Sequence, residues 1–188
     1  MYLEIDGYSA RVIRELYTHI GGAPSRLQAS TRYINYKNFD YYIPTSILRN
    51  DEALIIYQNT MEEIMNSYVE LEKLGISKED IANILPLGMT SKVILRTNLR
   101  NLVDMAHQRL CVRAYKEYRD LMADIAAALC SYSDEWKYLV QNLFIPKCEV
   151  AHYCGEAHGC GKYPSKEEFL KGLEEYYQYK KQLTDDLK

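Results

Sequence analysis

With 188 residues and 23 Lys and Arg against 26 Asp and Glu, the chain carries a net charge of −3 and suits one domain of ordinary size. Fractions of 47% hydrophobic and 26% charged residues exclude disorder, collagen-like repeats and low-complexity character. No apolar run long enough for a membrane span, no signal core and no basic stripe is visible, so the expectation is a cytoplasmic protein that binds neither membrane nor nucleic acid.

The run from Tyr2 to about His19 starts with alternation and turns helical, placing Val12, Ile13, Leu16 and Tyr17 on one stripe. Gly21, Gly22 and Pro24 stop that helix. From Ser30 to Ile43 the tyrosine-rich pattern predicts extended structure ending at Pro44. Apolar residues recur at helical spacing from Asp51 to Leu74, and Gly75 supplies a stop. Ser77 with Asp80 predicts a capped short helix before Pro86, and Val93, Ile94 and Leu95 mark a strand over Ser91 to Thr97. Asn98 opens a helix reaching at least His107. Helices over Ala114 to Leu129 and Asp134 to Leu143 follow, then a Cys-rich loop and a last charged helix capped by Ser165 with Glu168. These elements read as an α+β fold, a mixed or antiparallel sheet packed with long helices, plus a C-terminal Cys-rich appendage. The 18 Tyr against 3 Phe and 1 Trp predict aromatic surface at half-buried faces, subunit contacts or a polar pocket.

No hydrolase, kinase, phosphate-loop or dinucleotide signature is present. Arginine is the distinctive chemistry. Arg26 and Arg32 flank Ser30 and Thr31 after a glycine loop, a grouping of guanidinium forks and hydroxyls that suits a phosphate. Arg96, Arg100, Arg109 and Arg113 follow at i, i+4 spacings, so within a helical stretch each pair would share a face and call for an anion between them. The alternative is a solvated surface on which they pair with Glu15, Asp104, Glu117 or Asp120.

The stretch Arg14-Glu-Leu-Tyr-Thr-His19, followed by a glycine loop and Ser30-Thr31-Arg32-Tyr33, resembles the signature region of flavin-dependent thymidylate synthases. Leu85-Pro86-Leu87, Thr97-Asn98-Leu99-Arg100, Arg109, Ala114 and Glu117 resemble that family's second block in order and spacing. The resemblance runs from about residue 2 to about residue 130, and places a family-like domain at 1–143 and the Cys-rich loop with the last helix at 144–188. It implies an enzyme that methylates dUMP to dTMP with methylenetetrahydrofolate and NADPH, uses FAD, and works as a homotetramer. By position, Arg109 corresponds to the arginine that ionises the uracil. Glu15, Thr18, Gln28, Ser30 and Arg32 correspond to substrate contacts, and His19, Asn98, Arg100, Asp104 and Arg113 to flavin contacts.

Several of these positions depart from the family pattern. Thr18 and Ile20 stand in place of two signature arginines, and Ala82 in place of a phosphate-binding arginine. Glu15 replaces a glutamine, Gln28 a glutamate, Asp104 an asparagine and Arg113 a histidine, while Arg26 in a lengthened loop offers a replacement cation. Family members also carry a long N-terminal segment with further flavin and catalytic contacts, ahead of the residues matched here. These departures leave two other readings open: a non-catalytic relative that binds nucleotide or flavin or acts as a structural oligomer, and an enzyme for a different pyrimidine nucleotide.

The cysteines at 111, 130, 148, 154 and 160 are odd in number, which argues for thiols or metal ligands over a disulfide framework. Cys148, Cys154, Cys160 and His158 form a ligand set suited to tetrahedral structural zinc, with reduced thiols in a glycine-rich loop as the alternative. Cys111 and Cys130 fall in helix-like contexts where buried cysteines are inert.

Overall fold

The computed structural model describes residues 1–21 and 23–186, and the chain divides into two compact units, Met1–Leu102 and Val103–Lys188. In the first, β1 (Tyr2–Ser9) leads directly into α1 (Ala10–Leu16), whose start is capped by the Ser9 hydroxyl accepting from the Val12 N–H at 3.3 Å. β2 (Ser25–Gln28) follows, then the short α2 (Thr45–Leu48) and the long α3 (Asp51–Lys73). α4 (Lys78–Ile81) runs into a 3-10 turn, and β3 (Thr90–Arg96) completes the sheet. The sheet is antiparallel with order β1-β3-β2, so the fold is α+β as expected.

β3 obeys period two. Ser91, Val93, Leu95 and Thr97 are buried, whereas Lys92, Ile94 and Arg96 face outward. Lys92 bonds Glu4 at 2.8 Å and Asp6 at 3.1 Å across the open face, which raises the lysine above its ordinary pKa. β1 pairs Tyr2 with Arg96 and Ile5 with Val93, then slips so that Tyr8 meets Ser91. Gly7 sits in that slip at a φ of 77°, a conformation costly for residues bearing a Cβ, and its N–H is held by Asp6 Oδ1 at 2.9 Å.

The segment predicted as extended over Ser30 to Ile43 is instead a loop with a turn at Thr31 to Tyr33 and one isolated bridge, Tyr41 to Met89. Its aromatic spacing comes from packing: Tyr36 and Phe39 are buried with Met61 and Tyr68 of α3, Ile81 and Met89. Tyr57 packs edge-on to Tyr41 at 5.9 Å and donates to the Tyr42 carbonyl at 3.0 Å. The Tyr36 and Tyr68 hydroxyls are buried without a hydrogen-bond partner among the described residues, and burial followed by the proximity of Tyr68 pushes the Tyr36 phenol up. The strand of this region lies earlier, at β2.

α3 begins at Asn50, whose side chain accepts from Ala53 N–H at 3.0 Å, and ends where Gly75 turns left-handed and Ile76 N–H bonds the Leu71 carbonyl. Ser77 caps α4 through Asp80, as its sequence predicts. α5 (Leu99–Arg109) opens at Asn98, which accepts from Asn101 N–H at 2.9 Å.

In the second unit, α6 (Lys116–Tyr132) buries Glu117, Tyr118, Leu121, Met122, Ile125 and Leu129 along one stripe and packs on α7 (Asp134–Leu143). Ser133 caps α7 by accepting from Trp136 N–H. A short α8 (Lys147–Ala151), absent from the sequence prediction, interrupts the Cys-rich stretch and ends at His152 in the left-handed region. Ser165 and Glu168 reciprocally cap α9 (Lys166–Asp186), as predicted. No helix among the described residues is long and apolar enough to cross a membrane.

Candidate functional site

Within the first unit, a network forms where α1 ends. Thr18 folds back, its hydroxyl donating to the Glu15 carbonyl at 2.7 Å, and His19 is buried beside it. Arg26 on β2 reaches to this helix end, where its Nη2 donates to the carbonyls of Leu16, at 2.9 Å, and of His19. Its guanidinium also covers the Tyr17 ring at 5.0 Å. A cation at the carbonyl end of a helix complements the helix dipole, so Arg26 is anchored in the backbone. Arg26 therefore stands on a strand with its guanidinium turned to the protein's own carbonyls, whereas its sequence position suggests a loop cation open to an anion. Asn101, which is buried, donates to the same His19 carbonyl at 3.4 Å and accepts from the Thr97 hydroxyl at 2.9 Å, tying the start of α5 to the end of α1. The sequence pattern marks Asn98 in this stretch and carries no signal for Asn101. Only burial distinguishes the second asparagine.

Downstream, Gln28 of β2 makes a 3.5 Å contact from Nε2 to the Ser91 hydroxyl. The Ser30 hydroxyl accepts from Arg32 N–H at 3.2 Å, closing a small turn that fixes both residues. Arg32 is exposed and engages Glu79 through Nε at 3.1 Å and Nη2 at 3.0 Å. Exposed pairs of this kind are worth about 0.2–1 kcal/mol, so a phosphate can displace Glu79 at little cost. Asn98 and the exposed Arg100 stand at the start of α5.

The i, i+4 arginine pairs do not share helical faces. Arg96 belongs to β3 and Arg100 to α5, while Arg109 ends α5 and Arg113 lies in the following turn. Nor is the ion-paired surface realised for all of them: Arg96, Arg100 and Arg113 have no acidic partner among the described residues, and Asp120 pairs with Lys116 at 2.6 Å.

Within the second unit, Arg109 is half-buried with its guanidinium 4.6 Å above the Tyr118 ring, a contact that holds the charged plane in place. It lines a cavity of about 590 Å³ together with Arg113, His107 and Lys147. Asp104 is exposed one turn earlier on α5. Cys111, Cys148, Cys154 and Cys160 line the same cavity, whereas His158 is exposed and does not. The zinc set inferred from spacing is therefore not assembled: among the described residues no three His, Cys, Asp or Glu side chains are gathered to hold a metal. Cys148 lies on α8, whereas Cys160 and His158 lie in the glycine-rich loop beyond it. Burial, then the neighbouring thiols of Cys111 and Cys154, push the Cys148 thiol up, while its backbone hydrogen bond and Lys162 act in the other direction.

The family model for thymidylate synthase complementing protein matches residues 1–131. The flavin-dependent thymidylate synthase of Nitratidesulfovibrio vulgaris is 31% identical over 176 residues, spanning 87% of this chain and 68% of that protein. The flavin-dependent thymidylate synthase of Pyrococcus abyssi is 31% identical over 178 residues, spanning 90% and 72%. Among solved structures, thymidylate synthase X of Helicobacter pylori with FAD and dUMP aligns with a TM-score of 0.59 at 22% identity, over 76% of this chain and 72% of that one. That likeness establishes the shared fold.

Proposed function

Because the chain belongs to the thymidylate synthase complementing protein family, we propose that it is a flavin-dependent thymidylate synthase that converts dUMP to dTMP. The observation that carries this reading is the family match along residues 1–131, which includes Ser30, Arg32, Asn98, Arg100 and Arg109. In it, Ser30 and Arg32 hold the nucleotide phosphate, with Gln28, Thr18 and Glu15 as further substrate contacts. Arg109 holds the uracil as its N3 anion. A fixed guanidinium beside that nitrogen stabilises the negative charge and makes C5 of the base electron-rich. Its placement over the Tyr118 ring supports this role, because a preorganised cation needs no rearrangement as charge develops.

The donor set also suits FAD. Arg100 in the first unit and Arg113 in the second each carry a guanidinium without an acidic partner among the described residues, as an anion ligand requires, and it is the resemblance that assigns these two, with Asn98, His19 and Asp104, to the flavin. When bound, FAD supplies two-electron transfer to the carbon unit. The reading takes methylenetetrahydrofolate as carbon donor, NADPH as reductant, a cytoplasmic homotetramer, and a family-like domain at 1–143 followed by 144–188. Exposed Ile55 and Ile56 on α3 support subunit contacts.

Two observations favour the alternative of a relative that binds without turnover. Thr18 closes onto the Glu15 carbonyl where the resemblance calls for an arginine, and Arg26 is spent on backbone carbonyls. Purified chain supplied with FAD, dUMP, methylenetetrahydrofolate and NADPH separates the readings. Turnover to dTMP that falls about 10²–10³-fold in Arg109→Lys, with flavin content retained, is expected of the enzyme. Binding of dUMP and FAD without dTMP is expected of the alternative, and absence of both binding events overturns the functional assignment.

A further inference from the structure

The cavity of about 590 Å³ in the second unit is lined from two parts of the chain. Residues between 107 and 114 lie within the stretch 1–131 that the family model matches, whereas those between 147 and 166 lie beyond it. Its charge is one-sided: Arg113, Lys147 and Lys166 are exposed cations, Arg109 is a half-buried one, and Glu156 is the single carboxylate of the lining among the described residues. That surplus stands in a chain whose net charge is −3. Other lysines of this unit are paired, Lys162 with Glu149 and Lys116 with Asp120, but Arg113, Lys147 and Lys166 have no acidic partner among the described residues. Lys147 and Lys166 are also the first residues of α8 and α9, where the helix dipole disfavours a cation, so neither gains stability from its own helix. The half-buried lining is mostly uncharged and includes Cys111, Ala114, Cys148, Ala151 and Tyr153. Exposed cations joined to such a lining suit a molecule with a phosphate at one end and an uncharged body at the other, and the volume falls within the range of about 300–1,000 Å³ usual for small-ligand sites.

We propose that this cavity binds a phosphorylated small molecule and that Lys147 and Lys166 hold its phosphate together with Arg113. The guanidinium offers a planar fork to two oxygens, and each ammonium adds a compact charge with three donors that turn freely to meet the rest. A phosphate dianion or a pyrophosphate has the oxygens and the charge to engage all three cations. A lone carboxylate, with two oxygens and one charge, would leave most of the positive charge unanswered. Neither lysine is marked by a sequence motif, and the resemblance gives neither a role. On the functional reading above, which gives Arg113 to the flavin, the group held is the pyrophosphate of FAD. The two lysines then return positive charge to a chain that has Thr18, Ile20 and Ala82 where the family has arginines. That identification rests on the functional reading, whereas the phosphate site itself does not.

The thiols report occupancy: Cys111, Cys148, Cys154 and Cys160 line the cavity, and Cys130 on α6, which does not, is the internal reference. Reduced full-length chain is pulsed with iodoacetamide, with and without inorganic pyrophosphate, and alkylation of each cysteine is quantified by mass spectrometry. Pyrophosphate should slow the four cavity cysteines relative to Cys130. Lys147 and Lys166 are exposed, so replacing both leaves the core untouched. By calorimetry, the double variant Lys147→Met with Lys166→Met should bind pyrophosphate at least about tenfold more weakly, and Lys147→Arg with Lys166→Arg should restore most of the affinity. Equal alkylation with and without pyrophosphate, or unchanged affinity in the double Met variant, overturns the site. FAD should give the same protection and compete with pyrophosphate. FAD that binds without protecting, or protection by dUMP in its place, overturns the flavin identification while the phosphate site stands. If neither nucleotide binds and pyrophosphate still protects, the functional reading fails and the phosphate site stands.

Discussion

Replacing Arg26 with Met discriminates a backbone anchor from a ligand contact. The substitution keeps the aliphatic stem and removes the Nη2 donations to the Leu16 and His19 carbonyls and the cover over the Tyr17 ring. Bonds to charged groups contribute about 1.5–3 kcal/mol each, but one nitrogen serves both carbonyls here and Nε is buried without a hydrogen-bond partner, which offsets part of the gain. The expected net loss is about 2–3 kcal/mol. For a chain of this size, each kcal/mol moves the unfolding midpoint by about 2–4 °C, so Arg26→Met should unfold about 4–12 °C lower. Circular dichroism melts, checked for reversibility, measure the shift, and Arg26→Lys should recover part of it. An unchanged midpoint combined with a marked loss of dUMP affinity would refute the reasoning and return Arg26 to the anion site.

Asn101→Ala removes the donor to the His19 carbonyl and the acceptor of the Thr97 hydroxyl in a buried setting, and should cost about 1–3 kcal/mol in denaturant titration. Gly88→Ala places a Cβ 2.6 Å from the Tyr57 hydroxyl, which bonds the Tyr42 carbonyl, so a loss of about 1–3 kcal/mol is expected. Adding Tyr57→Phe to Gly88→Ala should cost less than the sum of the two single changes, because the clash and the hydrogen bond involve the same oxygen. The Ser165 backbone N–H and then its hydroxyl hold the Glu168 carboxyl below its ordinary pKa. A lowered folded value means that the cap is fully stabilising above the ordinary carboxylate pKa and is lost as pH falls through the lowered one. Amide protection at the start of α9, taken relative to the intrinsic exchange rate at each pH, should therefore fall on acidification, and Glu168→Gln should flatten that dependence.

Elements marked by local chemistry were legible in the sequence. α4, α5 and α9 announce themselves through Ser77, Asn98 and Ser165, each closing onto the N–H three residues on, and α3 through its apolar spacing and the Gly75 stop, whereas the Asn50 and Ser133 caps are seen in the structure. Tyr36, Phe39 and Tyr41 misled because alternation signals burial on one side, and here the burying partner is helix α3, not a neighbouring strand. β2 escaped notice because its four residues, Ser-Arg-Leu-Gln, gain their conformation from pairing with β3. The candidate site divides the same way. Ser30 with Arg32 and the Asn98 cap are local motifs, whereas the anchoring of Arg26, the burial of Asn101 and the meeting of Cys111 with Cys148 in the lining of one cavity exist only after folding.

The strand order carries a consequence for assembly. β3 is the last strand in the chain and the middle one in the sheet, so β1 and β2 have no partner until Thr90–Arg96 is available. The Met1 ammonium, donating to the Thr97 carbonyl 96 residues away at 3.0 Å, marks how large a loop must close. α3, by contrast, needs only contacts within itself to begin. By loop-closure entropy the helix is expected to form before the sheet, with sheet closure the slower event, an order that mutations in α3 and β3 would read as different effects on the folding rate.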